Sequence, residues 1–327
     1  MVDTHPSLKN LADKEVLQDR VLLVKDKVYG MGKNGRPFLS LLVGDKTGHL
    51  DARVWDQVES LNSIFEIGDL IKIKGAIQIY NNKRQLVIHK LENVSHLELD
   101  RKDFAIEEKK IDSHALFADL VQILNTIESQ YIRQLCVEAI HEESVKGLLL
   151  ASPAAKTIHH AERGGLLDHV VSICQLMQGI ASHYKQLNRD LLLFGALFHD
   201  LGKIWELEIQ KNGQISYTYK GQLLGHMYLS CEFIEQKCSK ILGFPDDLKV
   251  ILKHIVLSHH GKMEYGSPKV PMFAEAYVVA AIDDFDSKMN QIFNFTQSER
   301  QGADSWSRFN EHFERYFYLE DLKGKWL

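Results

Sequence analysis

The spacing of apolar residues changes once along the chain, from an alternating pattern to a helical one. Between residues 16 and 94, apolar and polar positions alternate as in half-buried strands, and turn residues such as Asn81-Asn82 separate the runs. The predicted strands are Val21–Val24, Pro37–Val43, His49–Trp55, Leu70–Tyr80 and Gln85–Ile88, with a short helix within Ser60–Phe65. Five strands with one helix before the fourth predict a small closed barrel, which we assign to residues 1–95.

Beyond residue 112 the apolar positions recur with a helical period. Helical stripes are predicted at Ser113–Ile127, Leu166–Ala181, Asp190–Leu201, Leu223–Ile241, Leu248–Ser258, Phe273–Phe293 and Trp306–Tyr318. Asn212-Gly213 predicts one β-hairpin between Ile204–Ile209 and Ile215–Tyr219. Residues 96–112, dense in charge of both signs, are predicted to be a solvated linker. The expected fold is a multidomain α and β protein. The N-terminal five-stranded barrel is followed by an all-α domain at residues 113–327, and this domain contains one inserted β-hairpin.

Charge divides the chain in the same place as the apolar pattern. The whole chain has a formal net charge of −5, which by itself argues against indiscriminate binding to nucleic acid. Residues 16–95, however, carry 12 Lys and Arg against 9 Asp and Glu, a local balance of +3 that leaves −8 for the remainder. The asymmetry indicates that the barrel is the part that faces a polyanion.

Cysteine usage and the longest apolar run indicate a cellular compartment. The four cysteines form no C-x-x-C pair, and each lies in an apolar context, so we expect buried reduced thiols. The first thirty residues are studded with charges, which is not typical of a secretory signal. The longest apolar run, Leu191–Phe198, is far shorter than the roughly 20 residues of a membrane span. We therefore expect a cytoplasmic protein with no membrane association.

The barrel pattern resembles an OB-fold of the kind that binds nucleic acid. The stretch from Phe38 to Trp55, with Gly44–Gly48 at its centre, looks like the hairpin of strands 2 and 3 in that fold. The resemblance implies that single-stranded nucleic acid binds this face through basic side chains and aromatic stacking. Phe38 or Trp55 could instead belong to the barrel core. The candidate binding residues are Tyr29, Lys33, Arg36, Phe38, Arg53, Trp55, Lys72, Tyr80 and Arg84.

Histidines concentrate in the helical part of the chain. Ten of the 16 lie between residues 141 and 260. The pair His199-Asp200 ends an apolar run, where polar side chains are costly to bury without partners, and imidazole with carboxylate is a ligand set for divalent transition metals. His169, His226, His259-His260 and Asp283 lie on or extend the apolar faces of other predicted helices. One such histidine would be read as a hydrogen-bonded core residue, but several on separate helices predict a metal site.

The ordered set of these residues resembles the HD-domain metal-dependent phosphohydrolases. The set is His169, His199-Asp200, Lys203, His226, His259-His260 and Asp283, and the resemblance covers about residues 150–290. The local sequences at His159–His169, Gly221–His226 and Ser258–Gly261 make this resemblance more specific. With an OB-fold in front, the whole chain resembles the YhaM-type 3′-5′ exoribonucleases, which are bacterial proteins.

The resemblance implies a site with two divalent cations. One cation would be held by His169, His199, Asp200 and Asp283, and the second would share Asp200 and take His226 and His259. Mn²⁺ is the expected ion, with Co²⁺ and Fe as alternatives. The expected reaction is hydrolysis of the terminal phosphodiester of single-stranded RNA, or of single-stranded DNA, by a hydroxide that the two ions generate. The direction of digestion comes from the resemblance alone.

Several neighbouring residues have open roles at this point. Lys203 is expected to bring positive charge to the phosphate, and His260 could be a ligand, a supporting group or a phosphate donor. His160 and Arg163 are candidates for phosphate binding, with a capping or surface role as the alternative. Asp286 fits a supporting role beside Lys203 or a ligand, and nothing in the sequence excludes Asp284 from the site.

Two other functions remain open from the sequence. The first is a phosphohydrolase of free nucleotides or cyclic dinucleotides, in which the barrel has a regulatory role. The second is a binding protein whose metal site is degenerate, although the ligand set here is intact. The oligomeric state is also open.

Overall fold

The computed structural model describes residues 7–8, 11–32, 35–45, 47–80, 83–95, 97, 111–154, 163–210, 215–300, 305–307, 309–310 and 312–323. The chain divides into two units, with bounds at residues 1–110 for the first and at residues 111–209 and 215–327 for the second. Each unit has its own apolar core.

The first unit is a closed five-stranded barrel. Its elements are β1 (Val16–Met31), β2 (Pro37–Asp45), β3 (Gly48–Val54), α1 (Val58–Asn62), β4 (Leu70–Tyr80) and β5 (Lys83–Asn93). The strand order is β1-β2-β3-β5-β4, and β1 pairs with β4 to close the barrel. Among the described strands of the barrel, β3 and β5 pair in parallel and the other pairings are antiparallel. The predicted OB-fold barrel is confirmed. Each predicted strand lies inside an observed one except the third, which was expected to reach Trp55, one residue past the end of β3.

Alternating residues of the strands fill the barrel. Leu39, Leu41 and Val43 of β2 are at most 1% exposed, while the residues between them point to the outer face. Buried Arg20 on β1 pairs with Asp45 at the end of β2 (Nη2 to Oδ2, 2.5 Å). Asp45 also accepts a hydrogen bond from the backbone N–H of Thr47, which fixes the turn into β3.

The second unit is mainly helical. Its helices are α2 (Ser113–Asn125), α3 (Gln130–His141), α4 (Glu143–Leu149), α5 (Gly165–His183), α6 (Arg189–Phe198), α7 (Lys203–Glu206), α8 (Tyr219–Cys238), α9 (Asp246–Ser258) and α10 (Ala274–Glu299), with a 3₁₀ turn at Met263–Tyr265. The inserted hairpin is β6 (Leu207–Ile209) and β7 (Ile215–Tyr217). The predicted fold class is therefore confirmed. The sequence pattern did not predict α3 and α4.

Helix α6 lies at the centre of the second unit. Asn188 caps its first turn by accepting hydrogen bonds from the backbone N–H groups of Asp190 and Leu191. From Leu192 to Phe198 every residue is buried, and the rings of Phe194 and Phe198 stack with centroids 4.6 Å apart. Helices α5, α9 and α10 pack against α6. The polar residues that follow Phe198 therefore enter the interior between these helices.

Two local expectations were wrong. The predicted first strand of the hairpin begins at Ile204, but Lys203–Glu206 form the helix α7 and the strand starts at Leu207. The helical stripe predicted at Trp306–Tyr318 is not a helix in its described residues, where antiparallel bridges pair Trp306 with Tyr318 and Asn310 with Arg315. Exposed aromatic side chains at cross-strand positions produced a spacing that also fits a helix. In the described part of the chain, no helix is long and apolar enough to cross a membrane.

Candidate metal centre and nucleic-acid face

Five segments of the second unit bring the predicted metal ligands together. His169 lies on α5, and His199 and Asp200 follow directly after α6. His226 lies on α8, just past a break in that helix at Gly225, where φ is 72° and ψ is 159°. His259 and His260 follow directly after α9, and Asp283 lies on α10. Two helix ends, one helix break and the inward faces of α5 and α10 thus bring these imidazole and carboxylate groups together.

Four of these residues form a first cluster, defined by His169, His199, Asp200 and Asp283. Their ligand atoms all lie within 4.8 Å of one another. The Nε2 atoms of His169 and His199 are 3.2 Å apart, and Oδ1 of Asp283 lies 3.3 Å from the former and 3.7 Å from the latter. Oδ2 of Asp200 lies 3.8 Å and 3.7 Å from the same two nitrogens.

His226, His259 and His260 form a second cluster on the other side of Asp200. Their ring nitrogens also lie within 4.8 Å of one another. The second carboxylate oxygen of Asp200, Oδ1, lies 3.5 Å from Nε2 of His226 and 3.5 Å from Nε2 of His259. Asp200 therefore points one oxygen at each cluster, which a carboxylate can do and a single imidazole nitrogen cannot.

Hydrogen bonds at Nδ1 fix the tautomer of all five imidazoles. A backbone carbonyl or a carboxylate only accepts, so each bonded Nδ1 carries a hydrogen, and in the neutral ring Nε2 keeps its lone pair for a ligand. The acceptors are Asp286 Oδ2 for His169 (2.9 Å), Gly195 O for His199 (2.9 Å), Glu206 Oε1 for His226 (3.1 Å), Val256 O for His259 (2.7 Å) and Tyr265 O for His260 (2.9 Å). This arrangement is typical of histidines that bind metals.

The two clusters fit divalent cations. Among the described residues, three buried side-chain atoms have no hydrogen-bond partner: Oδ1 of Asp200 and Nε2 of His226 and His259. An unpartnered buried polar atom is costly, and native structures seldom keep one without a reason. All three atoms are electron-pair donors that converge on one point beside Asp200, so a cation satisfies them together. Nitrogen and oxygen ligands of this kind suit Mn²⁺, Fe or Co²⁺.

Burial and charged neighbours shift the pKa values of the titratable groups in the site. Burial alone would raise the pKa of Asp200, but Lys203 and the surrounding imidazoles lower it well below the usual range. Burial alone would lower the pKa of His169, but hydrogen bonds with Asp283 and Asp286 raise it to about 9. Burial lowers the pKa of His199 to about 4. The two buried carboxylates thus favour positive charge between the helices, as a cation site requires.

The three acids Asp283, Asp284 and Asp286 of α10 have different surroundings in the structure. Asp283 joins the first cluster, and Asp286 accepts hydrogen bonds from His169 Nδ1 (2.9 Å) and from the Ser172 hydroxyl (2.5 Å). Asp284 points away from the site and is exposed, where it pairs with Lys288 (2.6 Å). Successive positions on α10 face different directions, so the helix places only two of the three acids inward.

Lys203 lies beside the bridging carboxylate. Its Nζ is 2.6 Å from Oδ2 of Asp200, and its side chain is mostly buried. Burial alone would lower the pKa of Lys203, but the charge of Asp200 raises it, so the ammonium stays protonated. Arg163 is exposed ahead of α5. His160, the other phosphate candidate, lies outside the described residues.

One buried acid of the site was not predicted. Glu206, the last residue of α7, accepts hydrogen bonds from both the backbone N–H (3.0 Å) and the Nδ1–H (3.1 Å) of His226. Burial would raise the pKa of Glu206, but these hydrogen bonds lower it. The spacing of Asp200, Lys203 and Glu206, three residues apart, is a weak helical signal, but Glu206 falls in the predicted strand Ile204–Ile209.

On the barrel, an aromatic and basic group lies on the outer face of β2 and β3. Phe38 and Trp55 occupy opposite positions, and their rings are 5.3 Å apart. Arg53 lies 6.0 Å from the Phe38 ring and donates to the hydroxyl of Ser40, its cross-strand neighbour (2.5 Å). Trp55 is 51% exposed, so its indole is on the surface and not in the barrel core.

The remaining barrel candidates are more scattered. Tyr29 pairs with the inward-facing Leu39 and so takes the opposite side of the sheet from Phe38, whereas Val28, opposite Ser40 and 51% exposed, extends the outer group. Arg36 is exposed just before β2. Lys72 lies on β4, which does not adjoin β2 or β3, and pairs with Asp19 (3.3 Å). Arg84 alternates in phase with the buried residues of β5 and donates to Leu11 O (3.4 Å). Lys33 and the side chain of Tyr80 lie outside the described residues.

Both units match known families. Residues 166–288 match the HD domain family, and residues 17–94 match the family described as an OB-fold nucleic acid binding domain. The chain is 33% identical over 305 residues to the 3′-5′ exoribonuclease YhaM of Bacillus subtilis strain 168, and this alignment covers 93% of the present chain and 92% of the relative. It is 34% identical over 318 residues to the 3′-5′ exoribonuclease YhaM of Listeria monocytogenes serovar 1/2a strain EGD-e, with 94% and 99% covered.

Proposed function

This chain belongs to the family of YhaM 3′-5′ exoribonucleases, and we propose that it shortens single-stranded RNA at a pair of divalent cations held around Asp200. Its HD domain and its relatives make it a metal-dependent hydrolytic nuclease. The division of labour within that activity, the number of cations and the residues that serve each step are the content of the proposal.

The single observation that carries the proposal is the position of the Asp200 carboxylate. Oδ2 faces the first cluster and Oδ1 faces the second, each within 3.8 Å of two imidazole nitrogens. His169, His199 and Asp283 would hold one cation with Asp200, and His226 and His259 would hold the other. Cations bound there would lower the pKa of an attacking water and neutralise charge on the attacked phosphate.

Two further residues of the chain would act on the phosphate directly. Lys203 holds its ammonium beside Asp200, so it supplies a positive charge at the edge of the site for a phosphate oxygen. His260 belongs to the second cluster but is partly exposed, whereas His169, His199 and His259 are at most 1% exposed. His260 therefore lies where a substrate phosphate can approach, and its Nε2, which is not bonded to Tyr265 O, would serve as a cation ligand there.

The barrel would hold the RNA strand away from its scissile end. The Phe38 and Trp55 rings offer a stacking surface to unpaired bases, and Arg53 beside them offers a charge to the backbone. Single-stranded RNA is the favoured substrate, because the relatives are exoribonucleases, and single-stranded DNA would bind the same face by stacking.

The test is degradation of end-labelled oligonucleotides by the full-length protein in Mn²⁺. We expect a ladder of 5′-labelled RNA products that shorten from the 3′ end, with 3′-blocked RNA resistant and 5′-blocked RNA degraded. Asp200→Asn should slow the reaction by more than the roughly 10–100-fold typical of a lost supporting partner. Asp284→Asn, an identical exchange at an exposed acid, should leave the rate unchanged.

Two results would contradict the proposal. Cleavage by Asp200→Asn at the wild-type rate would show that the buried carboxylate is not part of the reaction centre. Turnover of mononucleotides or cyclic dinucleotides without any shortening of RNA would favour a small-molecule phosphohydrolase with a regulatory barrel.

A further inference from the structure

Glu206 is a buried acid of the site that belongs to neither cluster of ligand residues, so its role needs a separate explanation. It is 8% exposed, and a single oxygen, Oε1, accepts both the backbone N–H and the Nδ1–H of His226. Two bonds to one residue fix both the position of the His226 backbone and the rotation of its ring. The unbonded Nε2 of that ring is then directed at Oδ1 of Asp200, 3.5 Å away.

Thr218 and Gly221, which follow the inserted hairpin, hold the Glu206 backbone in place. The backbone N–H of Thr218, which follows β7, donates to the Glu206 carbonyl (2.9 Å), and the Thr218 hydroxyl donates to the carbonyl of Trp205 (2.7 Å). Gly221 packs directly on the Glu206 backbone, where a Cβ at this position would lie 2.3 Å from the Glu206 carbonyl oxygen. The close approach requires glycine, so the start of α8 and the end of α7 form one fixed unit.

The break in α8 makes the second bond possible. In an uninterrupted helix the His226 N–H would bond the carbonyl four residues earlier. At Gly225 the backbone takes φ 72° and ψ 159°, a conformation that residues with a Cβ rarely adopt, and the helix direction changes. The N–H of His226 donates to Glu206 instead.

We propose that Glu206 is the positioning residue of the second cation site, which it builds by fixing His226. This inference rests on the proposed two-cation function. Asp286 is the counterpart on the first cluster, because it accepts from Nδ1 of His169. The two acids lie on different elements, α7 and α10, and bond histidines of different clusters, so each acts on a different cation.

The experiment counts and titrates the cations. Isothermal titration of full-length protein with Mn²⁺ should give two ions for the wild type. Glu206→Ala should weaken one of them by roughly 10–100-fold, the usual cost of losing the partner of a metal-bound histidine. Glu206→Gln keeps an oxygen acceptor for both N–H groups and should stay within a few-fold of wild type. Melting of the metal-free variants checks that each one folds.

Asp286→Ala provides the matched comparison. It should also weaken one ion, and the double variant Glu206→Ala/Asp286→Ala should weaken both. If the two acids served the same cation, the double variant would keep one ion at wild-type affinity.

Three outcomes would overturn the inference. Wild-type affinity for both ions in Glu206→Ala would show that His226 needs no such partner. Equal weakening of both ions would point to general loss of structure. One ion in the wild-type protein would end the two-cation proposal itself, and the wild-type titration alone reveals that case.

Discussion

The exchange Asp200→Asn tests the shared carboxylate through stability. In the wild type each oxygen of Asp200 faces two imidazole nitrogens, at 3.7–3.8 Å for Oδ2 and 3.5 Å for Oδ1. An amide has the same shape but one acceptor oxygen, and its NH₂ group carries hydrogens toward the other cluster. The variant can therefore serve one cation and opposes the second. We expect the number of bound Mn²⁺ ions to fall from two to one.

The expected size follows from binding linkage. At a free Mn²⁺ concentration about 100-fold above the dissociation constant, each ion stabilises the native state by about 2.7 kcal/mol. Two ions then contribute about 5.4 kcal/mol and one contributes half of that. For a unit of about 200 residues, 1 kcal/mol moves the Tm by roughly 2–4 °C. The Mn²⁺-dependent rise in Tm should be roughly 10–20 °C for the wild type and roughly 5–10 °C for the variant.

Scanning calorimetry of the full chain with Mn²⁺ and with a chelator measures this difference. The readout is the change that Mn²⁺ produces within each protein, because Asp200→Asn also removes the partner of Lys203 and lowers the metal-free Tm. Asp284→Asn is the control, since it makes the same exchange at an exposed position of the site's own helix. An Mn²⁺-dependent rise in Asp200→Asn as large as in the wild type would refute the shared-ligand reasoning.

Three further predictions concern the barrel and the core. Trp55→Ala should weaken binding of single-stranded RNA by about 1–3 kcal/mol, or roughly 5- to 150-fold in a filter-binding assay. Trp306→Ala, which removes a tryptophan of the other unit that is 59% exposed, should not. Equal losses in both would argue against a specific stacking surface. Asp45→Ala breaks the buried ion pair with the Arg20 guanidinium and should destabilise the barrel by about 3–5 kcal/mol in urea unfolding, whereas an unchanged midpoint would contradict the importance of the pair. Burial raises the pKa of Cys174 to about 12 from an ordinary 9.0, so its contribution to stability is complete below pH 9 and is lost as the pH rises from there toward 12. Cys174→Ala should reduce this alkaline loss by up to about 1.4 kcal/mol per pH unit, and an identical slope in both proteins would disprove that origin.

The prediction from sequence was most successful where a residue's role depends on periodicity. Alternation with turn residues gave the five strands, since a strand with one buried face must alternate. The order of histidines and aspartates gave the residues that meet at the site, because each lies on or extends the apolar stripe of a different helix. Short elements without a clear stripe, such as α3, α4 and α7, were missed or misassigned for the same reason.

The candidates on the barrel show the limit of this approach. Every strand of the barrel carries an aromatic or a basic residue, but only cross-strand register decides which of them share a face. Phe38, Arg53 and Trp55 come together because Ser40 lies opposite Arg53. Lys72 is on a strand that does not adjoin this face, and Tyr29 takes the other side of the sheet.

The sequence alone determined the two units, the fold of each and the chemistry of the ligands, since residue types and spacing specify buried faces. Only the tertiary structure decided that Asp200 divides its oxygens between two clusters, that Asp286 and not Asp284 supports His169, and that Glu206 fixes His226. The partners in these contacts are separated by up to 117 residues in the sequence. Hydrogen-bond direction and ring tautomer depend on how distant helices pack, and no local pattern of apolar and polar positions specifies that packing.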